Sequence, residues 1–192
     1  MVLPRIVRDF DKICYLKIKI NLITEEKMVA QNSTLNSFLN MPMVSFTIPI
    51  FQRNYAWKRK HCEQFLNDIL ALVNTSISNN VGDSSQNNSK REHFLGTICY
   101  QEHFNNNIAE YSIIDGQQRI ITSMLLLKAL SKHNKIDPRT KDDIDRIICN
   151  SRDSKLRLKP MAKDIKAFEE IMKDSISEGI KSSGCIKAIS IL

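Results

Sequence analysis

The chain has 192 residues, 42% of them hydrophobic, with 28 lysines and arginines against 21 aspartates and glutamates, for a formal charge of +7. That length holds one domain with a proper core, or one domain and part of a second, and the apolar share excludes a disordered chain. The basic excess suits a nucleic acid or nucleotide partner, and suits equally a solvated basic face.

Five cysteines (Cys14, Cys62, Cys99, Cys149, Cys185) and four histidines (His61, His93, His103, His133) show neither paired nor metal-ligand spacing. A structural zinc site is disfavoured, and reduced thiols in a cytoplasmic protein are expected. No run approaches the roughly 20 apolar residues of a bilayer span, and Lys17 and Lys19 interrupt the one candidate for a signal sequence.

Residues 1–27 read as an N-terminal extension. Within it Leu16, Ile18, Ile20 and Leu22 alternate with Lys17, Lys19 and Asn21, a strand period that predicts an added sheet edge or a stretch upstream of a start at Met28. Asn32-Ser33-Thr34 offers helix caps before the amphipathic turn of Leu35, Phe38 and Leu39, which Pro42 closes. Val44–Ile50 predicts a short strand. Phe51 to Trp57 then interleaves polar and aromatic residues, and Cys62, Phe65, Leu66, Ile69, Leu70 and Val73 recur at helical spacing, predicting a helix over 58–74. Residues 74–92 read as a long Ser/Asn-rich loop.

His93 to Gln101 predicts a strand with Gly96 inside it, a sign of close backbone approach. Asn105-Asn106-Asn107 predicts a hairpin loop, followed by a strand to Ile114. A central helix is expected over 117–133, with Ile120, Ile121, Met124, Leu125, Leu127 and Leu130 buried. Asp137-Pro138 opens another helix, Ser154–Leu158 a short strand, and Met161, Ile165, Phe168 and Met172 a last long helix. The chain stops on Ile186, Ile189, Ile191 and Leu192, apolar residues that a domain ending there would expose. Residues 137–192 therefore read as an incomplete helical segment, and 28–136 as the main domain.

The densest chemistry lies at Ile113-Ile114-Asp115-Gly116-Gln117-Gln118-Arg119. An acid, a glycine, two amides and an arginine are packed between the end of a strand and the start of a helix. Such a turn suits an anion: glycine admits close approach, the first helical N–H groups point outward, and the dipole favours negative charge. Arg119 adds a planar fork of donors, and Asp115 can orient a water, a sugar hydroxyl or a metal. The alternative is an ordinary turn with an N-cap that binds nothing.

Two blocks together, Ile48-Pro49-Ile50-Phe51-Gln52-Arg53-Asn54-Tyr55-Ala56-Trp57 and Ile114-Asp115-Gly116-Gln117-Gln118-Arg119, resemble the N-terminal domain of GmrS-type proteins. These belong to modification-dependent restriction and anti-phage systems and have a ParB/sulfiredoxin-like fold. The resemblance covers roughly residues 28–175. It implies an α+β fold, a small mixed sheet packed against helices with a helical C-terminal segment, that binds a nucleoside triphosphate with Mg²⁺ and in several relatives hydrolyses it. It further implies DNA, an HNH-type nuclease domain or subunit, and a second copy of the chain as partners.

By the same resemblance Asp115, Gln118 and Arg119 are the catalytic candidates, with Asp115 also the metal ligand. Gln52, Arg53, Tyr55, Gly116, Gln117 and Thr122 are the nucleotide-binding candidates. Two positions depart from the pattern: Phe51 stands for the usual tyrosine, and Ile121 for the first of two threonines, leaving Thr122 alone to touch phosphate or magnesium. No His-Asn-His-like nuclease constellation occurs in these residues.

Each residue has a plainer use. Trp57 suits core packing better than base stacking, Arg53 a salt bridge, Gln52 the pairing of buried backbone groups. His93 suits a structural place, and Lys58-Arg59-Lys60 a solvated helix start or a DNA phosphate contact. Three functions remain open: a triphosphate-dependent regulatory or hydrolytic domain, a non-catalytic ParB-like DNA-binding module, or an inert remnant.

Overall fold

The computed structural model describes residues 7, 16–24, 28–78, 94–105, 108–150, 154–160, 162–177 and 183–190. Its strands are β1 (Lys17–Ile23), β2 (Met28–Thr34), β3 (Val44–Thr47), β4 (Phe94–Asn105), β5 (Ile108–Asp115) and β6 (Leu158–Lys159). They form one sheet in the order β2-β1-β4-β5-β3-β6. Pairing is antiparallel for β1–β2 and β4–β5 and parallel for β1–β4, β3–β5 and β3–β6. Helices among the described residues are α1 (Leu35–Leu39), α2 (Arg59–Ser78), α3 (Gln117–Ser131), α4 (Pro138–Ile148), α5 (Ala162–Met172) and α6 (Gly184–Ile189). The α+β class holds.

Strand alternation explains the layering. Ile18, Ile20, Phe46, Ile98, Tyr100, Tyr111 and Ile113 are buried, while the intervening Lys19, Gln101 and Ser112 are not. Phe38 of α1 plugs this face, with ring centroids 5.1 Å from Phe46 and 5.6 Å from Tyr100. Tyr100 and Tyr111 stack at 4.3 Å. Burying α1, α3 and the sheet's inner face in one cluster removes most large apolar side chains from water, at about 1.5–3 kcal/mol each.

Several boundaries differ from expectation for physical reasons. Residues 17–23, read as an edge or an extension, lie inside the sheet between β2 and β4, with Leu16, Ile18 and Ile20 buried. The edge is β2, which carries no apolar period because it is exposed along most of its length. Thr34 does cap α1, its hydroxyl accepting from the Ser37 N–H at 3.0 Å. β3 stops at Thr47, before Pro49, whose carbonyl accepts the Gln52 N–H at 3.0 Å in a turn. α2 runs on to Ser78, so the first residues of the expected loop are helical. β6 is shorter and later than expected, and Leu156 instead bridges to Cys149.

Expectations for Cys14, residues 79–93 with His93, residues 106–107, Met161 and residues 191–192 fall outside the described residues. Ile186 and Ile189 pack partly buried against the core. Among the described residues no helix is long and apolar enough to cross a membrane.

Candidate functional site

β5 ends at Asp115, Gly116 adopts a left-handed conformation (φ 87°), and α3 begins at Gln117 with no side-chain cap. The first intrahelical bond runs from the Ile120 N–H to the Gly116 carbonyl at 3.2 Å, so earlier N–H groups have no acceptor within the helix. Only glycine fits this corner. A Cβ on Gly116 would sit 3.0 Å from both the Thr97 carbonyl oxygen and Ile98 Cγ1.

β4 forms the floor beneath the turn. Arg119 is half-buried, donates to the Thr97 carbonyl at 3.3 Å, and lays its guanidinium across Gly96. A Cβ on Gly96 would meet Arg119 Cζ at 2.8 Å and Nε at 2.9 Å. The expected close approach at Gly96 is thus an approach of the arginine itself. Asp115 and Arg53 are exposed, and among the described residues neither takes part in an ion pair. The salt bridge considered for Arg53 is absent there.

The loop from Gln52 to Trp57 is strapped to this turn by amides. Gln52 Nε2 donates to the Ile114 carbonyl at 2.9 Å, and Gln117 Nε2 to the Arg53 carbonyl at 3.3 Å. Gln118 uses both ends: its Oε1 accepts the Ala56 N–H at 2.8 Å and its Nε2 donates to the Asn54 carbonyl at 3.2 Å. Both α3 glutamines are 5% exposed. At this seam Asn54 Oδ1 and Gln117 Oε1 are buried with no protein partner among the described residues.

Deeper still, the Thr122 hydroxyl donates to the Gln118 carbonyl at 2.7 Å, so the Tyr55 hydroxyl, 2.8 Å away, donates to Thr122. Burial pushes the Tyr55 phenol well above its ordinary range, so it stays a neutral donor. Thr122 is 0% exposed and Tyr55 6%; neither presents its ring or hydroxyl to solvent. Trp57 is half-buried, edge-on to Phe65 at 5.8 Å, as its packing role requires.

Sequence-predicted residues thus separate into two layers. Arg53, Asp115 and Arg119 reach the surface, while Tyr55, Gln117, Gln118 and Thr122 hold the loop against the helix from below, with Gln52 half-buried between them. Asp164 gave no sequence signal. It is an acid in the first turn of a helix, where dipole complementarity is explanation enough, yet its Oδ2 accepts the Tyr55 N–H at 2.6 Å.

Among the described residues no group of three or more His, Cys, Asp or Glu side chains gathers to hold a metal. Asp115 alone suits an ion whose remaining ligands are water and phosphate, the usual habit of magnesium. An apolar hollow lined by Leu16, Leu39, Phe65, Ile69 and Leu126 meets α3 only beyond its first turn, and no charged side chain lines it.

A comparison with curated proteins finds no match. The family described as GmrSD restriction endonuclease, N-terminal domain, matches residues 32–186, which include the Gln52–Trp57 loop, the Asp115–Arg119 turn and Asp164. With most of its length matched, and with both blocks meeting in space, the chain belongs to the family of GmrSD restriction endonuclease N-terminal domains, components of restriction and defence systems.

Proposed function

We propose that this chain binds a nucleoside triphosphate at the Gly116 turn and, by hydrolysing it, regulates an HNH-type nuclease held elsewhere. The carrying observation is that the Gln117–Arg53 carbonyl and Gln52–Ile114 carbonyl hydrogen bonds hold the main chain of the loop bearing exposed Arg53 against the uncapped helix N-terminus that carries Arg119. Two arginines and free N–H groups neutralise a polyphosphate from two sides, each charge-assisted bond contributing about 1.5–3 kcal/mol.

Asp115 is the residue for Mg²⁺ arriving with the phosphates, and the ion would neutralise phosphate charge. Asp115 and Arg119 remain the catalytic candidates, and Gln118, buried with both amide ends engaged, is a positioning residue. Arg119 and Asp115 contact the ligand directly, and Gln118 sets the height of the loop that carries Arg53. Gln52, Gln117, Tyr55 and Thr122 act through the same strap. DNA and a second copy of the chain complete the proposed partners.

The test is calorimetric titration of ATP, GTP, CTP and UTP with Mg²⁺ on this chain and on Arg119→Ala, followed by phosphate release. Binding that is lost in the variant is expected. No binding of any nucleotide by folded protein refutes the reading.

A second reading rests on the exposed run Arg53, Lys58, Arg59 and Lys60, which suits a ParB-like DNA-binding module. It predicts DNA affinity falling steeply and linearly on a logarithmic salt scale, with or without nucleotide.

A further inference from the structure

The Gln52–Trp57 loop is held from below by α3 and also from the side by the C-terminal helices. Asp164, at the start of α5 and 6% exposed, takes the Tyr55 N–H at 2.6 Å across 109 residues of sequence. Gly184, at the start of α6, faces the other side of the same residue. A Cβ there would fall 2.9 Å from the Tyr55 carbonyl oxygen and 3.1 Å from Tyr55 Cδ1. So Tyr55 is gripped at its N–H by one helix and at its carbonyl and ring by the next, two residues from Arg53. Cys185, beside Gly184, is 0% exposed and reports whether α6 is seated.

We propose that Asp164 and Gly184 form a latch joining the Arg53-bearing loop to α5 and α6, so that filling the anion site tightens those helices and freeing them loosens the site. The latch rests on the triphosphate reading for its ligand and on geometry alone for its mechanics. Asp164 and Gly184 are positioning residues, touching no ligand. Linkage makes the effect reciprocal: whatever steadies α5 and α6 raises affinity at the turn by the factor by which the ligand steadies them.

Two readouts test it without reference to activity: amide exchange at Tyr55, and alkylation of Cys185 by iodoacetamide, resolved by peptide mass because five cysteines are present. Losing a hydrogen bond to a carboxylate in Asp164→Ala should speed both by about tenfold or more. Gly184→Ala should do the same by forcing α6 off Tyr55, so the proposal does not depend on one variant folding. Asp164→Asn, which keeps an acceptor oxygen, should restore most of the protection.

With native protein, inorganic tripolyphosphate and Mg²⁺ should slow both reactions, and Arg119→Ala should abolish that slowing. Variants that fold yet leave Tyr55 exchange and Cys185 labelling unchanged overturn the latch. Accelerated labelling in the variants with no response of the native chain to tripolyphosphate leaves the mechanical joint standing. It refutes the coupling alone, while the triphosphate reading stands or falls with the calorimetric titration.

Discussion

Replacing Gly96 by alanine tests the seat of Arg119 more sharply than removing the arginine. The new Cβ would lie 2.8 Å from Cζ, 2.9 Å from Nε and 3.0 Å from Nη2, so the guanidinium must leave its place over β4. The backbone at φ 112° adds strain of its own, about 1–3 kcal/mol for a non-glycine residue. Displacing the guanidinium should cost one charge-assisted phosphate bond, about 1.5–3 kcal/mol, or roughly 10- to 100-fold in triphosphate affinity. Calorimetric titration measures that loss, and thermal unfolding of Gly96→Ala, Arg119→Ala and the double variant separates its causes. In the double variant the steric part vanishes, and it should be more stable than the sum of the single effects predicts, by about 1 kcal/mol or some 2–4 °C. Additive single effects, or native affinity in Gly96→Ala, would refute the contact as the reason for glycine.

Three further expectations follow from the site and its support. Gln118→Leu removes the bonds to the Ala56 N–H and the Asn54 carbonyl, which lie at partly exposed residues, and should lower stability in urea by about 1–2 kcal/mol, since water can replace part of what is lost. Tyr55→Phe removes the bond to Thr122 and should cost about 1 kcal/mol, lowering triphosphate affinity through the strap by no more than about fivefold; a larger affinity loss would mean the ring reaches the ligand. Asp174 is pushed up by burial but held below its ordinary pKa by Lys132 at 2.6 Å and Lys128 at 3.1 Å. A depressed carboxylate contributes stability above its unfolded pKa and loses it as pH falls through the folded one. Because Asp174 is 47% exposed, Asp174→Asn should cost only about 0.5 kcal/mol at pH 7. The difference should fade on acidification and in high salt, as urea midpoints across pH would record.

How much the sequence disclosed depends on the range of the interactions involved. α3 was legible because Ile120, Met124, Leu127 and Leu130 repeat at helical spacing, although burial on every side also takes in Thr122, Ser123 and Leu126. The Gly116 corner was legible because turn chemistry is local. β2 was not, since Met28–Thr34 is an exposed edge where neither alternation nor propensity is enforced. The surface members of the site, Arg53, Asp115 and Arg119, carried their chemistry in their residue types. The inward use of Gln118 and Thr122 did not show, because an amide serves a ligand or a neighbouring backbone with the same two atoms. Asp164 was invisible for another reason: its partner is 109 positions away, and no local pattern registers a contact of that range.

The interior place of β1 has a practical consequence for dividing the molecule. The family match begins at residue 32, and Met28 invites a boundary just before it. A cut at either point removes the strand that joins β2 to β4 and takes Leu16, Ile18 and Ile20 out of the core. The uncovered flank of β4 would then present unpaired backbone beside Ile98 and Tyr100, a surface that recruits other chains. Protein trimmed to the matched segment should therefore self-associate. Lys17–Ile23 and the start of Met28–Thr34, which lie ahead of the match, belong to the sheet's architecture, whatever their resemblance to anything else.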